Sequence, residues 1–415
     1  MLEPEYLLRI TEESEQISEF LHQDIIKRIV ERMMLRIGRG EDYLLTATDK
    51  WQIQTLQDAG YLLEDIQKEI AKRTKQQEKA IKEAFEDAGI KTIEYDDEIY
   101  RSVGLSTVPL TQSPQLIRIM QDMYERTLHE WKNYTRTTAE ASQRAFINEL
   151  DKIHTLVSTG ALSYTQAVRE GVNNIVSHGT EVIYPSGHVD AIETATLRAV
   201  RTGISQMSAQ IQIARMKENK VGLVITTSHL GARPSHQEWQ GQVFSIDWKK
   251  MNKIFPLPEI PTPENLGAED YPDFVDSTRI GKIDGLCGIN CRHNFSVFYQ
   301  GMENPFEQYD SEENLKQYEK EQRQRVLERR IRNTKAEVIG LKESIDKCAD
   351  EKARFELDMD YQRKSALLQK QNKMYNDYCK ENDLKKLSDR ISIAKWDRKQ
   401  AAAARGAAQR YNNAK

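Results

Sequence analysis

This 415-residue chain lacks long apolar runs, is poor in cysteine and, toward its end, has almost no helix breakers. No stretch approaches the roughly 18–20 consecutive apolar residues of a membrane span, so no membrane partner is expected. Four cysteines in so long a chain exclude a disulfide scaffold and suit a reducing compartment. The opening Met1-Leu2-Glu3-Pro4-Glu5 lacks the basic end and apolar core of a secretory signal, so none is expected. From Asn314 onward there is no proline, and the only glycines are Gly340 and Gly406, which excludes a turn-rich C-terminal region.

What is there is charge and helical periodicity. Charged residues make up 30% of the chain, yet Leu, Ile, Val, Met and aromatic residues recur throughout. That is the composition of a soluble, helix-rich protein with long exposed helical faces rather than a disordered one. The net charge of −4 hides an asymmetry. Residues 311–415 carry 26 Lys and Arg against 18 Asp and Glu, a net of +8, which leaves −12 on residues 1–310. A basic tail on an acidic body suits a polyanion or an acidic protein surface as partner, or simply a solvated helix end.

The first 160 residues read as helices. Ile17, Leu21, Ile25, Ile29 and Met33 recur at four-residue steps with Phe20 beside them, as one buried face requires. Trp51, Leu56, Leu62 and Ile66 predict a helical pair broken at Gly60, and Ile70 to Phe85 a third stretch ending near Gly89. Pro114 opens a long helix through Ile117, Met123, Trp131 and on to Leu150, with a hydroxyl-rich interior at Asn133-Tyr134-Thr135-Arg136-Thr137-Thr138. Another helix is expected from Tyr164 to Val176, and Tyr184-Pro185-Ser186-Gly187-His188 is a turn cluster. A stripe from Ile192 through Val200, Ile204, Met207 and Ile211 predicts a helix ending near Glu218.

The texture then changes. Val221 to Thr227 is β-branched and reads as a buried strand, with further short strands at Gln242–Ile246 and Phe295–Tyr299. Pro256, Pro258, Pro261, Pro263 and Pro272 mark an extended excursion between them. Later, Leu327, Ile331, Thr334, Val338, Leu341, Ile345, Cys348, Lys352, Phe355 and Met359 step alternately by four and three, the average of a coiled-coil seam. The expected fold is α+β and predominantly helical. A helical N-terminal region spans 1–179, a small α+β core with a short sheet spans 180–305, and basic long helices or a coiled coil span 306–415.

Chemistry concentrates in Ser228-His229-Leu230-Gly231-Ala232-Arg233-Pro234-Ser235-His236-Gln237-Glu238-Trp239-Gln240-Gly241 and in Cys287-Gly288-Ile289-Asn290-Cys291-Arg292-His293. Three readings stand open. His229, His236, Cys287, Cys291 and His293 offer the nitrogen and sulfur donors of tetrahedral zinc, though without the paired C-x2-C spacing. The same histidines with Arg233 could serve a zinc-dependent, nuclease-like enzyme, but no nucleophile elbow, phosphate-binding glycine loop or carboxylate pair accompanies them. Third, Gly231, Arg233, Pro234, His236, Trp239 and Gly241 make a structural knot. In it Pro234 presets a turn, Arg233 bridges carbonyls and Trp239 plugs the core.

These two runs, with Arg201-Thr202-Gly203-Ile204-Ser205-Gln206 before them, resemble the minor capsid proteins of tailed bacteriophages. The resemblance is to the phage minor capsid protein 2 group, related to the Mu F-like minor head proteins. It extends upstream through Tyr184 to His188, Ser158-Thr159-Gly160-Ala161-Leu162-Ser163-Tyr164, Asn133 to Thr137 and the helix from Leu7 to Met33, and so covers about residues 1–305. The resemblance implies a structural, non-enzymatic virion protein of the head with a Mu F-like core at 180–305. It would be bound to the portal or major capsid protein and act in head assembly, genome packaging or delivery. Host cytoplasm during assembly and the phage head afterwards are the implied locations. The wider group often has an early cysteine pair; here Ser228-His229 to Ser235-His236 stands in that place, so a structural zinc would rest on histidines. Lys385, Lys386, Arg390, Lys395, Arg398, Lys399, Arg405 and Arg410 are the candidates for non-specific contact with packaged DNA, and the C-terminal helices for self-association.

Overall fold

The computed structural model describes residues 1–184, 186–263 and 270–414; Pro185 of the expected turn cluster lies outside the described residues. Helices come first: α1 (Pro4–Arg9), α2 (Glu12–Ile37), α3 (Glu41–Leu44), α4 (Thr48–Ser102), α5 (Pro114–Ser158) and α6 (Tyr164–His178). A small hairpin, β1 (Glu181–Ile183) and β2 (Val189–Ala191), leads into α7 (Ile192–Glu218). Then follow β3 (Leu223–Thr226), α8 (Pro234–Gln237), β4 (Val243–Ser245), α9 (Trp248–Ile254), α10 (Phe274–Thr278) and β5 (Phe295–Phe298). The chain continues with α11 (Ser311–Lys347), α12 (Glu351–Glu381), α13 (Ser388–Ile391) and α14 (Arg398–Asn413). The fold is α+β and predominantly helical.

Local chemistry explains many of these bounds. Pro114 occupies the first turn of α5, where its missing N–H costs nothing. Ser163 and Gln166 form a reciprocal capping box at the start of α6. Two expectations are corrected. The breaks predicted at Gly60 and near Gly89 do not exist: α4 runs unbroken for 55 residues. A glycine weakens a helix by about 1 kcal/mol and commonly ends one where the chain turns left-handed, which neither of these does. The C-terminal seam is carried by α11 as far as Ile345 and stops there. The chain leaves the helix at Cys348, Gly38 O accepts from the N–H groups of both Ala349 and Asp350, and Asp350 caps α12 by accepting from Ala353 N at 2.8 Å. Phe355 and Met359, expected on the seam, are exposed.

The chain forms two compact units, each assembled from three separate segments. The first comprises Met1–Glu15, Gln77–Lys132 and Thr196–Glu321. At its centre lies α7, which the sequence shows as one apolar stripe but which is buried on nearly every side from Arg201 to Lys217. Two of its polar residues find partners inside: Ser208 Oγ is 2.9 Å from Thr92 Oγ1 and accepts from Asn294 Nδ2, while Gln212 Nε2 donates to Asp96 and to Phe295 O. The sheet is antiparallel in the order β4-β3-β5, with Val224 opposite Phe244 and Val297. Those three join Ala209, Ile213 and Met216 in the core, while Leu223, Ile225 and Phe298 pack on the other face with Tyr271, Met302 and Phe306. Strand β3 is therefore buried on both faces, as its continuous apolar run requires.

The second unit comprises Gln16–Gln76, Asn133–Ala195 and Gln322–Lys415. Here α11 and α12 form an antiparallel pair: Tyr375 Oη lies 3.3 Å from Glu328, and Lys364 donates to Glu337 at 2.6 Å. Leu327 and Ile331 pack with Leu368, Tyr375 and Cys379. Gly340 lets α11 approach Val176 of α6, since a Cβ there would sit 2.4 Å from Val176 Cγ1. Asp360 of α12 is buried and accepts from Arg169 Nε at 2.7 Å and Asn173 Nδ2 at 2.7 Å, both on α6. Helix α14 packs along α12 through a stripe of buried Ala404, Ala407 and Ala408.

Candidate functional site

Both chemistry-bearing runs lie in the first unit, at the end of the three-stranded sheet. Leaving β3, Thr226 Oγ1 donates to Trp239 O at 2.7 Å, and Gly241 N donates back to Thr227 O at 3.2 Å, which closes the fourteen-residue run into a loop. Gly231 and Gly241 have φ of +79° and +66°, the left-handed region where a side chain costs energy. Pro234 starts the one-turn helix α8. Arg233 Nη2 donates to Ile289 O at 2.8 Å and so joins the two runs. Trp239 is buried in the core, its ring 4.5 Å from His236 and 4.9 Å from His293.

The second run is a tight turn. Cys287 and Asn290 both have left-handed backbones, with φ of 58° and 57°, a strained state for residues with a Cβ. Gly288 is forced: a Cβ would meet Ile283 O at 2.5 Å. This turn delivers Cys291 and His293 beneath α8. Three ligand atoms, from His236, Cys291 and His293, lie within 4.8 Å of one another, and all three residues are buried. His236 Nδ1 is 3.3 Å from His293 Nδ1, and the Cys291 sulfur is 3.8 Å from each.

The other two metal candidates stand apart from this cluster. His229 stacks on His293 with ring centroids 4.4 Å apart and faces Leu230 O and Arg292. Cys287 directs its thiol to His293 O at 3.8 Å. Burial drives the electrostatics. It pulls His236 down to about 4, with Arg233 adding to the effect, and His293 well below the ordinary imidazole range, with neighbouring His229 and His236 contributing. The same burial pushes both thiols up, Cys287 further under the influence of Cys291. The imidazoles are therefore neutral near pH 7.

Several residues that hold the site carry no sequence signal of their own. Asn314 of α11 accepts from Ala232 N at 2.9 Å and donates to Ala232 O at 2.8 Å, a reciprocal pair across 82 residues. Asn294 donates its backbone N–H to the Asn294-facing hydroxyl of Thr227 at 2.9 Å. Gln237 and Gln240 link α8 to the histidines. Asp247, a nearby acid, caps α9 by accepting from Lys249 N at 2.8 Å.

The basic C-terminal candidates divide. Lys395 pairs with Asp24 at 2.5 Å and Arg390 with Glu328 at 3.8 Å. Lys385, Lys386, Arg398, Lys399, Arg405 and Arg410 are exposed. No helix of the described residues is long and apolar enough to cross a membrane.

Residues 2–377 match the family model described as phage minor capsid protein 2. A structural protein of Lactococcus phage LL-H is 23% identical over 313 residues, which cover 72% of this chain and 81% of that protein. No solved structure matches. A family match that runs through both compact units and both chemistry-bearing runs places this chain in the phage minor capsid protein 2 family.

Proposed function

We propose that this chain is a structural head protein of a tailed phage, bound beside the portal, with a role in head assembly and in packaging or delivery of the genome. The family match over residues 2–377 carries this reading. We further propose that it catalyses no reaction. Supporting this, the rings of His236 and His293 and the thiol of Cys291 belong to residues each about 1% exposed, packed against Trp239, so a polymeric substrate has no approach to them. The helical N-terminal region would dock on the portal or the inner shell, and the exposed C-terminal bases would meet packaged DNA.

Co-expression with the portal and major capsid proteins of the same phage tests the reading. The expected result is co-purification with portal assemblies and a low copy number in mature heads, counted by quantitative mass spectrometry of purified virions. Absence from virions would refute the structural role. The rival, a zinc-dependent nuclease, predicts DNA cleavage that disappears with His236→Ala; full-length protein that leaves DNA intact with zinc present removes it.

A further inference from the structure

We propose that His236, Cys291 and His293 bind one zinc ion as a structural site that staples the loop after β3 to the turn before β5. This goes beyond the capsid reading and does not depend on it. Hydrogen-bond direction fixes the tautomer of both rings. His236 Nε2 lies 2.9 Å from the backbone carbonyl of Asp284, which can only accept, so that nitrogen carries the proton. For His293 the same conclusion comes through a chain of amides. Gln237 Nε2 donates to Tyr309 O at 2.9 Å, which turns Gln237 Oε1 toward Gln240 Nε2 at 2.9 Å. Gln240 Oε1 then accepts from His229 N at 3.1 Å, so it is an oxygen, and His293 Nε2, 3.1 Å away, must donate to it.

Both rings are thus held with Nε2 protonated, and both Nδ1 lone pairs point at one spot from 3.3 Å apart. Two acceptors so close repel unless a cation lies between them. The Cys291 thiol has one proton and can satisfy only one of them. A metal ion satisfies all three donors at once.

The spacing fits zinc. Zn–N bonds of about 2.0–2.1 Å and a Zn–S bond of about 2.3 Å at tetrahedral angles put the nitrogens about 3.3–3.4 Å apart and sulfur about 3.5–3.6 Å from each. The observed edges are 3.3, 3.8 and 3.8 Å. Imidazole and thiolate together favour zinc over hard cations such as magnesium. The Asp284 carbonyl and Gln240 act as the outer partners that fix and polarise metal-binding histidines. Binding releases the Cys291 proton to solvent. His229 and Cys287 are not counted among the ligands.

The test uses full-length protein grown with zinc and purified without a metal-affinity tag. Elemental analysis should give one zinc per chain. Apo-protein, prepared with a chelator under reducing conditions and titrated with Co2+, should show the visible bands of tetrahedral cobalt and a thiolate charge-transfer band. Cys291→Ala should lower retained zinc at least ten-fold, whereas His229→Ala should keep it. Because a ligand variant can unfold the unit, the wild-type cobalt spectrum decides independently. Folded wild-type protein that holds no zinc and gives no tetrahedral cobalt spectrum overturns the proposal, as does full zinc retention by Cys291→Ala.

Discussion

Gly203 lies mid-helix in α7, inside the run Arg201 to Gln206, where a glycine costs helix stability. Its backbone is not left-handed, so conformation does not require it. Space does. A Cβ at 203 would lie 2.1 Å from Thr127 Oγ1, 3.1 Å from Phe85 Cζ and 3.3 Å from Thr127 Cβ. Thr127 is itself buried on α5, where a β-branched side chain has few χ1 rotamers open to it. Gly203→Ala therefore gains about 1 kcal/mol of helix propensity and loses about 1–3 kcal/mol to overpacking. Gly60 supplies the control. It is exposed in the interior of α4, and a Cβ there would meet nothing within 4 Å, so Gly60→Ala should stabilise by about 0.5–1 kcal/mol. Because the propensity gain is common to both, the difference between the two variants isolates the packing cost. Urea-unfolding midpoints of the two variants and the parent measure it. Thr127→Ala in the Gly203→Ala background should recover about 1–2 kcal/mol beyond additivity. A Gly203→Ala protein as stable as Gly60→Ala, or a coupling of zero, would refute the reasoning.

Three other outcomes follow from the same structure. His22 and Glu193 form a mostly buried pair at 2.9 Å. Burial opposes the charge on His22, but the Glu193 carboxylate outweighs it and raises the imidazole, while Glu193 is lowered by its partner against its own desolvation. The stability contributed by His22 is fully present below its unfolded value of about 6.5 and is lost as pH rises through the higher folded value. That contributed by Glu193 is present above its unfolded value and is lost as pH falls through the lower folded one. The destabilisation by Glu193→Gln should thus be largest from about pH 5 to 6.5 and shrink on the alkaline side, read from urea midpoints across pH; a flat difference would contradict it. Asp360→Asn leaves the Arg169 guanidinium and Asn173 amide short of an anion and should cost about 3 kcal/mol by the same measurement; a cost under about 1 kcal/mol would show the network to be idle. Replacing the six exposed bases Lys385, Lys386, Arg398, Lys399, Arg405 and Arg410 by Ala should flatten the salt dependence of DNA binding by up to about 5 in log–log slope, whereas Lys395→Ala, which breaks a pair with Asp24, should leave it unchanged.

Much of this was legible in the sequence where a local rule has one meaning. Val221 to Thr227 could be a buried strand and little else, and the helix that ends at Glu218 is followed by Lys220 with φ of 52°. The C-terminal seam was harder. Nothing in the 4-3 spacing announces that Cys348 to Asp350 form a turn, because the turn is held by Gly38 O, 310 residues upstream of Cys348. Gly60 and Gly89 look like stops because composition does not reveal φ, and neither takes the left-handed φ at which a glycine commonly terminates a helix. The burial of α7 on nearly every side was hidden because Ser205, Ser208 and Gln212, all buried, are polar. At the histidine cluster the ligand types were legible, yet which three converge was not. The deciding partners are a backbone carbonyl at Asp284 and a relay through Gln237 and Gln240, and carbonyls leave no trace in side-chain identity.

The interleaved construction decides how the DNA reading can be tested. Removing residues 311–415 looks like the natural experiment, because that region is basic and continuous. Residues 311–321, however, belong to the first unit and include Asn314, whose amide closes the loop at Ala232. Residues 322–415 belong to the second unit, where Ile331, Leu341 and Leu357 are buried and Asp360 receives Arg169. Truncation would expose those apolar faces and strand a guanidinium, so lost DNA binding or altered oligomeric state in the truncated protein would report unfolding as readily as lost contact. Surface substitutions at the exposed bases leave both units whole. They change charge and little else, since substitutions away from buried features are usually within about 0.5 kcal/mol of neutral. The salt slope of the full-length charge variants is therefore the measurement that separates a DNA-contacting tail from a merely solvated one.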